Sequence, residues 1–430
     1  MRRSGALLLS SWLAAWPAGA APPAPPAAGR AAFLDDLERS SFRYFWEQAD
    51  PGTGLVLDRA RTDAEPFDRS QPAVASVAAT GFGLTALCVA AQHGWLAPEV
   101  ARRRARRTLR FLAERSPQVH GWFYHFVSAT DGRRRWDSEV SSIDTGLLLG
   151  GALVARQCFR DDAQIVRSAT AIFERVDFPW MLAGRPALFS MGWTPERGFL
   201  PARWDSYSEH MMLTLLGIGS PAHPVPPEVW KNWRRGKIVY GDVAYYASAG
   251  PLFIHQFAQA WVDFRGRRDL GFDNADYFEN SVIAVRAHRR FNIDLGKKFK
   301  SYSDNIWGIT SSEGPQGYMA WGGPPAGRGI DGTVVPCAAG GSLMFAPDIA
   351  LPALEAMKQR YGRRIYGRYG FADAFNPVTG WVAPDVLGID QGITLLSAEN
   401  LRSAMVWRWF MANPEISKAM EAVGLRKSLS

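Results

Sequence analysis

Apolar helical segments alternate with amphipathic ones along most of this 430-residue chain, and no other feature limits its possible folds so strongly. Val74–His93 and Ser141–Gln157 are almost wholly apolar, which is typical of helices packed on all sides. Glu99–Arg115 and Asp161–Val176 carry apolar residues on one face only. Similar segments recur at Phe33–Gln48, Asp205–Ile218, Pro251–Val262, Asp276–Phe291, Leu351–Tyr361 and Gln391–Met411. The pattern predicts an all-α fold, a toroid of helical hairpins whose inner helices surround a central cleft.

Long segments rich in Gly, Pro and Trp connect these helices, notably Phe178–Arg203 and Asn292–Pro347. Alternation of period two, the mark of a half-buried strand, is scarce. Loops of this length in a compact domain usually carry function. We therefore expect long loops around a cleft at one end of the toroid.

The first twenty residues have the layout of a secretory signal. Two arginines precede the apolar run Ala6–Trp16, and Ala18–Ala20 offers small residues for cleavage near Ala20. An uncleaved anchor is the alternative. The sequence thus predicts a signal peptide over residues 1–20, an Ala/Pro-rich leader over 21–30 and a single domain over 31–430, exported to the periplasm or secreted.

Composition and charge exclude several classes of function. The 49 Lys and Arg against 41 Asp and Glu leave a net charge of +8 that is spread along the chain, so nucleic acid is not an expected partner. No segment after the signal is long and apolar enough to cross a bilayer, so we expect no stable membrane insertion. The 17 Trp, 24 Phe and 12 Tyr supply a large core and candidate platforms for a ligand.

The three cysteines predict neither a disulfide framework nor a metal site. Cys88, Cys158 and Cys337 are an odd set in apolar surroundings, so we expect three free thiols. Zinc-ligand spacing and phosphate-binding loops are absent from the sequence. We expect no metal and no cofactor.

Glu209 is the strongest candidate for a catalytic acid. Helical spacing aligns it with Met212 and Leu216 on a face that should be buried. A carboxyl group there must be hydrogen-bonded, paired or held neutral with a raised pKa. The structural alternative is a first-turn acid that the helix dipole favours, but Asp205 fits that role better because it stands at the expected N-cap.

Asp390 directly precedes an apolar helix and lies between Gly388 and Gly392. Capping explains an Asp at this position. Glycines on both sides also allow a close approach of backbone or ligand, which capping does not require. The residues alone leave both roles open.

Other carboxylates have weaker signals. Asp144 begins an inner helix just after Glu139, and Ser141 three residues earlier makes a capping box that explains much of Asp144 structurally. The remaining candidates lie in loops beside Gly, Pro or aromatic residues, where each taken singly is more often a turn residue: Asp58, Glu313, Asp331 and Asp373.

Paired carboxylates with aromatic platforms point to glycoside hydrolysis. The sequence lacks the Gly-x-Ser-x-Gly and His-Glu-x-x-His motifs of other hydrolases. In glycoside hydrolysis one acid protonates the leaving oxygen, while a second carboxylate activates water or attacks directly.

These residues resemble a known family along essentially the whole chain after the leader. The blocks that carry the resemblance are FRYFW (Phe42–Trp46), GLVLDR (Gly54–Arg59), SSIDTGLLLGGAL (Ser141–Leu153), WDSYSEHMMLTLLGIGSP (Trp204–Pro221), WGITSSEGPQGY (Trp307–Tyr318), DGTVVPCAAGGSLMFAPDIALPAL (Asp331–Leu354), YGFADAFNP (Tyr369–Pro377) and LGIDQG (Leu387–Gly392). The chain resembles the glucoamylase-like proteins of glycoside hydrolase family 144, bacterial β-1,2-glucanases with an (α/α)6 toroid.

The resemblance implies hydrolysis of β-1,2-glucan without a metal or cofactor. Glu209, in the Tyr-x-Glu block, would be the general acid, and Asp390 would be the general base acting on water, with inversion. The other candidates for contact with the sugar are Asp58, Arg59, Glu139, Asp144, Trp193, Trp204, Tyr207, Trp307, Glu313, Tyr318, Trp321, Asp331, Asp373 and Trp381. Several of the aromatic residues are expected to belong to the core instead.

Two other functions stay open. A retaining transglycosylase would need its two carboxyl groups ~5 Å apart rather than ~6.5–9.5 Å. A non-catalytic glucan-binding protein would have no need for a buried acid. Ser208 and Ile393 stand where the family often has Asn and Pro, so endo or exo action and the preferred chain length do not follow. We expect a monomer whose partner is β-1,2-glucan or its oligosaccharides.

Overall fold

Helices form the framework of the protein. The computed structural model describes residues 28–184, 187–327 and 329–428. The α-helices within these residues are α1 (Ala28–Glu47), α2 (Val77–Gln92), α3 (Pro98–Glu114), α4 (Ser142–Cys158), α5 (Ala163–Arg175), α6 (Phe178–Leu182), α7 (Met211–Gly219), α8 (Val229–Asn232), α9 (Phe253–Trp261), α10 (Tyr277–Leu295), α11 (Pro336–Gly340), α12 (Pro347–Tyr361), α13 (Gly388–Ser403), α14 (Met405–Met411) and α15 (Pro414–Ala422).

The signal peptide predicted over residues 1–20 lies outside the described residues, as does most of the leader predicted over 21–30. Because α1 begins at Ala28, the end of that leader is helical, and the folded domain starts before residue 31. None of the described helices is long and apolar enough to cross a membrane.

Short antiparallel strands occupy the connections between the helices. They are β1 (Arg59–Arg61), β2 (Val74–Ser76), β3 (Gln118–Val119), β4 (Trp122–Phe123), β5 (Phe126–Ser128), β6 (Val140–Ser141), β7 (Gly192–Thr194), β8 (Gly198–Phe199), β9 (Lys237–Tyr240), β10 (Val243–Tyr246), β11 (Arg267–Asp269), β12 (Ser312–Gly314), β13 (Gly317–Met319), β14 (Tyr366–Gly367), β15 (Gly370–Phe371), β16 (Phe375–Asn376), β17 (Trp381–Val382), β18 (Asp385–Leu387) and β19 (Leu425–Lys427). The pairs are β1·β18, β2·β5, β3·β4, β9·β10, β11·β19, β12·β13, β14·β15 and β16·β17, with β6·β7·β8 as a three-stranded sheet. They shape loops rather than a core.

The helices lie in two layers. In the inner layer α2 packs on α4 and α13, α4 packs on α7, α7 on α9, and α9 on α13, so the contacts close into a ring. These inner helices are buried along most of their length. The sequences of α2, α4 and α7 are largely apolar on every face, whereas α13 also buries polar side chains. In the outer layer, α1 covers α2 and α13, α3 covers α2, and α5 covers α4. From α1 to α5 the outer and inner helices alternate as the sequence predicts, whereas α7 and α9 are both inner helices and only the four-residue α8 lies between them.

Two glycines allow α2 and α4 to pack with their backbones in contact. A Cβ atom at Gly81 would overlap the backbone carbonyl of Leu147, and one at Gly151 would overlap the carbonyl of Gly81. Only glycine leaves room for two helices to approach this closely. This contact fixes the relative position of the first two inner helices.

Two predicted helices have different bounds. The segment expected to be helical from Asp205 begins only at Met211, because the backbone of Arg234 holds the preceding residues extended: Arg234 N donates to Asp205 O, and Tyr207 N donates to Arg234 O, both at 2.8 Å. His210 is therefore the N-cap, and the capping role predicted for Asp205 is wrong.

The segment Gln391–Met411 is two helices rather than one. Ala404 has a φ of 55°, in the left-handed region, and separates α13 from α14. The three cysteines Cys88, Cys158 and Cys337 are free thiols, as the sequence analysis expected.

Candidate active site

The N-terminal ends of the inner helices bring the candidate carboxylates together at one end of the ring. β1 pairs with β18 so that Arg59 lies opposite Leu387, and Gly388 N donates to Asp58 O at 2.8 Å. This ladder holds Asp58 against the first turn of α13, which carries Asp390. On the neighbouring helices, Asp144 lies in the first turn of α4, and Glu209 lies two residues before α7.

Glu209 is a buried acid without a cationic partner among the described residues. It is 7% exposed, and the Ser208 hydroxyl donates a hydrogen bond to its Oε2. Burial raises its pKa to about 7, and the nearby Asp144 carboxylate adds to the rise. The helix-face argument for its burial is wrong, because Glu209 precedes the helix. The burial itself is as predicted, and it gives a carboxyl group that can hold a proton near neutral pH.

Asp390 lies in the first turn of α13 but does not cap it. Leu387 is the N-cap, and Oδ2 of Asp390 is buried without a hydrogen-bond partner among the described residues. Of the two roles left open by the sequence, capping is therefore wrong. Burial raises the pKa of Asp390, whereas hydrogen bonds from Asp373 and Cys337 lower it.

Asp373 is a buried neighbour of Asp390. Burial and the Asp390 charge hold the pKa of Asp373 well above its usual range. The two carboxyl groups therefore titrate as a coupled pair, and burial favours their protonated forms. Asp373 Oδ2 also accepts from the backbone N–H of Glu313 at 2.6 Å, which fixes its orientation.

Arg59 links the two sides of the Asp390 site. Its Nε donates to Asp58 Oδ2 at 2.8 Å, and its Nη1 donates to Glu313 Oε1. These carboxylates raise the pKa of Arg59 above its usual value despite burial, so the guanidinium stays charged. The predicted residues Asp58, Arg59, Glu313, Asp373 and Asp390 thus form one connected cluster.

His125 is a site residue that the sequence analysis missed. Its Nδ1 lies 3.1 Å from Glu139 Oε1, and its Nε2 lies 3.5 Å from Asp144 Oδ1. Burial lowers its pKa, but Asp144 and Glu139 outweigh burial and raise the pKa to about 9, so the imidazole is a cation at neutral pH. It lies 14 residues before Glu139, a separation that no helical or metal-ligand spacing reveals.

Asp144 joins this histidine group to Glu209. The predicted N-cap is confirmed, because the Ser141 hydroxyl accepts from Asp144 N at 3.2 Å. Asp144 Oδ2 accepts from the same hydroxyl at 2.5 Å, rather than from the Ser141 backbone N–H as in a complete capping box. The Asp144 carboxylate thus contacts the His125 imidazole on one side and raises the pKa of Glu209 on the other.

The aromatic candidates differ in exposure. Tyr207 and Trp307 are fully buried, and Trp204 and Trp321 are 8% and 4% exposed with their indole N–H groups bonded to serine hydroxyls. These four rings lie in the core or the wall of the cleft. Trp193 and Trp381 are half-buried, and Tyr318 is 51% exposed on β13, so these three can offer a ring face to a sugar.

Asp331 lies in a turn rather than in the carboxylate cluster. It is exposed, and its Oδ1 accepts from the backbone N–H of Thr333 at 2.8 Å. This contact matches the turn role that its neighbours in the sequence indicated.

Within the described part of the chain, two groups bring His and carboxylate ligand atoms within 4.8 Å of one another. They are His125–Glu139–Asp144 at the candidate site, and Glu38–His93–Glu399 near the opposite end of α13. In both, the imidazole nitrogens already lie within hydrogen-bonding distance of carboxylate oxygens. Contacts within the protein therefore account for both arrangements.

Comparison with known proteins supports the family resemblance. The family model named Glycoamylase, described as "Putative glucoamylase", matches residues 201–414. An exo β-1,2-glucooligosaccharide sophorohydrolase (non-reducing end) of Parabacteroides distasonis is 26% identical over 91% of this chain, which spans 57% of that relative's length. The matched model and this relative support a glucoamylase-like family similar to glycoside hydrolase family 144.

Solved structures agree with this family in fold. The endo-β-1,2-glucanase of Chitinophaga pinensis, in a sophorotriose and glucose complex, is 26% identical with a TM-score of 0.85, covering 93% of this chain and 99% of that one. The endo-β-1,2-glucanase of Talaromyces funiculosus, in complex with sophorose, is 12% identical with a TM-score of 0.62 over 93% of this chain and 92% of that one, and so shares the fold.

The segment that matches the family model contains only part of the candidate site. Glu209 and Asp390 lie within residues 201–414, whereas Asp58, His125 and Asp144 precede it. The N-terminal third of this chain therefore supplies one wall of the site.

Proposed function

We propose that the protein is a glycosidase that hydrolyses β-1,2-glucan. Its family resemblance and the activities named for its relatives support this substrate, because both the exo sophorohydrolase and the endo-glucanase act on the β-1,2 linkage. We further propose that the closed ring of inner helices and its outer layer constitute a single-domain (α/α)6 toroid. The signal layout supports export to the periplasm or beyond, and we expect a monomer.

The observation that carries the catalytic proposal is the buried, cation-free carboxyl group of Glu209. Because its pKa is raised to about 7, Glu209 is protonated over much of the range below neutrality and can protonate the departing glycosidic oxygen. An acid with an ordinary pKa would have lost that proton. Ser208 fixes one carboxyl oxygen, which leaves the other free to face the substrate.

Asp390 serves as the general base in this proposal. Hydrogen bonds from Asp373 and from the thiol of Cys337 both favour its ionised form. A carboxylate in that state can accept a proton from water as the water attacks the anomeric carbon. Asp390 has Asp373, Cys337 and Arg59 as neighbours, whereas Glu209 has Ser208 and Asp144. Separate surroundings of this kind suit an acid and a base that act on opposite sides of a scissile bond. Attack by water from the side opposite the leaving group inverts the anomeric centre.

Product analysis tests this function. The purified protein should release glucooligosaccharides from β-1,2-glucan and none from α-1,4-glucan or β-1,3-glucan. NMR of the first products should show the α-anomer, as inversion requires. Cleavage of the α-1,4 polymer alone would remove the substrate assignment, and a first-formed β-anomer would favour the retaining transglycosylase. The lengths of the products distinguish exo release of sophorose from endo cleavage.

A further inference from the structure

A recess beside the candidate site is lined by arginines. Its volume is about 480 Å³, and Arg43, Arg363, Arg364 and Arg368 contribute four guanidinium groups. The remaining lining residues are Thr62, Asp63, Ile365, Tyr366 and Gly367. We refer to these nine residues as the arginine recess.

Most of this positive charge is uncompensated. Arg368 pairs with Glu47 at 2.6 Å and with Glu65 at 3.4 Å. Arg43, Arg363 and Arg364 have no carboxylate within 4.0 Å among the described residues. Asp63 is the one acidic lining residue, and it lies 3.1 Å from Arg61, outside the recess. Three free cations around one concave surface repel one another, so an anion between them would be stabilised.

The arginines also keep unused hydrogen-bond donors. Arg43 donates through Nη1 to Arg368 O at 3.2 Å, and Arg364 donates through Nη2 to Gly380 O at 3.3 Å. A guanidinium has five N–H donors, so each retains several after this one bond. Paired N–H groups of this kind match the oxygens of a phosphate or carboxylate.

The arginines of α3 show what an ordinary solvated arginine face looks like in this protein. Arg102 pairs with Asp161 at 2.9 Å, and Arg106 pairs with Asp162. Both aspartates stand just before α5. On the same helix, Arg103, Arg104 and Arg107 have no carboxylate within 4.0 Å among the described residues. The arginine recess therefore differs from this face in shape, because its arginines surround one concave space.

Both walls of the recess continue into the candidate active site. Thr62 follows β1, and three residues of extended chain, about 10 Å, separate it from Arg59. On the other wall, Ala372 N donates to Ile365 O at 2.7 Å, immediately before Asp373. A polymer lying in the cleft would therefore pass close to the recess.

We propose that the arginine recess binds an anionic substituent, a phosphate ester or a carboxylate, carried by the glucan chain that occupies the cleft. This assignment rests on the proposed function for the polymer itself. The chemistry of the recess is shared by a free phosphate ion, which is the other possible source of the anion. The recess would then act as a specificity subsite outside the catalytic groups.

The test compares neutral β-1,2-glucan with the same glucan after chemical phosphorylation, in low salt. The double variant Arg363→Gln/Arg364→Gln removes two exposed cations. The matched control Arg103→Gln/Arg110→Gln removes two exposed cations from α3. Wild type and control should have a lower KM for the phosphorylated glucan, and the recess variant should lose that preference by about 10- to 100-fold, about tenfold for each lost charged hydrogen bond. The KM for neutral glucan should not change.

Titration calorimetry with inorganic phosphate separates the two sources. One outcome is that the wild type binds phosphate, that the recess variant does not, and that the wild type shows no preference for phosphorylated glucan. This outcome would assign the recess to a free anion and overturn its role as a glucan subsite. If the recess variant and the α3 control behave alike in both assays, the proposal that the recess binds an anion is overturned altogether. If neither glucan is cleaved by the wild type, the proposed function fails, and binding of the phosphorylated glucan, measured by calorimetry, still tests the recess.

Discussion

Helix α13 carries a buried carboxyl group near each end, and the two groups have different charged neighbours. Asp390 lies in its first turn and Glu399 nine residues later, about 13 Å along the helix axis. Glu399 Oε2 lies 2.7 Å from His93 Nε2, and its neighbour Glu38 accepts from Arg402. At the Asp390 end, the cations Arg59 and His125 are bonded to other carboxylates.

This difference separates a structural cluster from a functional one. At the Glu399 end, Arg402 donates to Glu38 and His93 Nε2 lies within hydrogen-bonding distance of Glu399, while burial and the Glu399 charge raise the pKa of Glu38 well above its usual range. At the other end, Glu209 and Asp390 are buried without an ion pair among the described residues, and burial raises both pKa values. Desolvation without a compensating charge costs stability, which is the usual signature of a group held for chemistry.

The largest expected effect is on turnover. Glu209→Gln and Asp390→Asn should each lower kcat on β-1,2-glucan by ~10²–10⁴-fold, because the amides keep the shape but can neither donate nor accept the required proton. Glu399→Gln changes the same chemical group at the other end of α13 and should leave kcat of the folded enzyme within about twofold, since it removes no catalytic group. Rates of reducing-end release measure all three. Near-wild-type activity of Asp390→Asn would point to Asp144 or Glu313 as the base.

The next effect is on stability. Arg402→Met should lower the free energy of unfolding by about 3 kcal/mol, because it leaves Glu38 buried and unpaired. Arg286→Met breaks an exposed pair with Asp348 and should cost at most about 1 kcal/mol. Denaturant titration of both variants gives the comparison. Equal losses of unfolding free energy in the two variants would mean that the Arg402–Glu38 pair stabilises the fold no more than an exposed pair does.

A smaller effect appears in the pH dependence of stability. The folded pKa of Glu209, about 7, lies above the value of about 4.3 for an unfolded Glu. The folded state therefore holds a proton that the unfolded chain releases, so this stabilisation is complete below about pH 4 and is lost as the pH rises through 7. Because Gln does not titrate, the stability of Glu209→Gln relative to wild type should increase by about 2 kcal/mol between pH 5 and pH 8.

Glu421→Gln, an exposed change on α15, is the control for this pH series. Its difference from wild type should stay constant between the same two pH values. A Glu209→Gln difference that is equally constant would show that the carboxyl group ionises normally and would remove the basis for its role as the acid.

Much of the helical framework could be predicted from hydrophobic periodicity because packing decides it. The bounds of α2 and α4 lie within about three residues of those expected from their apolar runs. The start of α7 could not be predicted, since the backbone of Arg234, far along the chain, determines it. The break at Ala404 lacks the Gly or Pro that usually marks one in a sequence.

The candidate site was only partly predictable for a similar reason. The apolar neighbours of Glu209 and Asp390 indicate burial, and burial of a carboxyl group is itself the functional signal. The pairing of Asp373 with Asp390, and of His125 with Glu139 and Asp144, depends on which loops the ring brings together. Nothing in the local sequence encodes those contacts.

The ladder between β1 and β18 has a consequence for how the molecule becomes active. Arg59 and Leu387 face each other across it, so residues near the two ends of the folded domain meet at the catalytic carboxylates. Contacts over so long a separation form slowly, because most of the chain must be ordered before they close. A chain still emerging from a ribosome or a translocation channel can fold most of its inner helices and yet have no site. Enzymatic activity in this protein is therefore a late event in folding, and its appearance reports that the ring has closed.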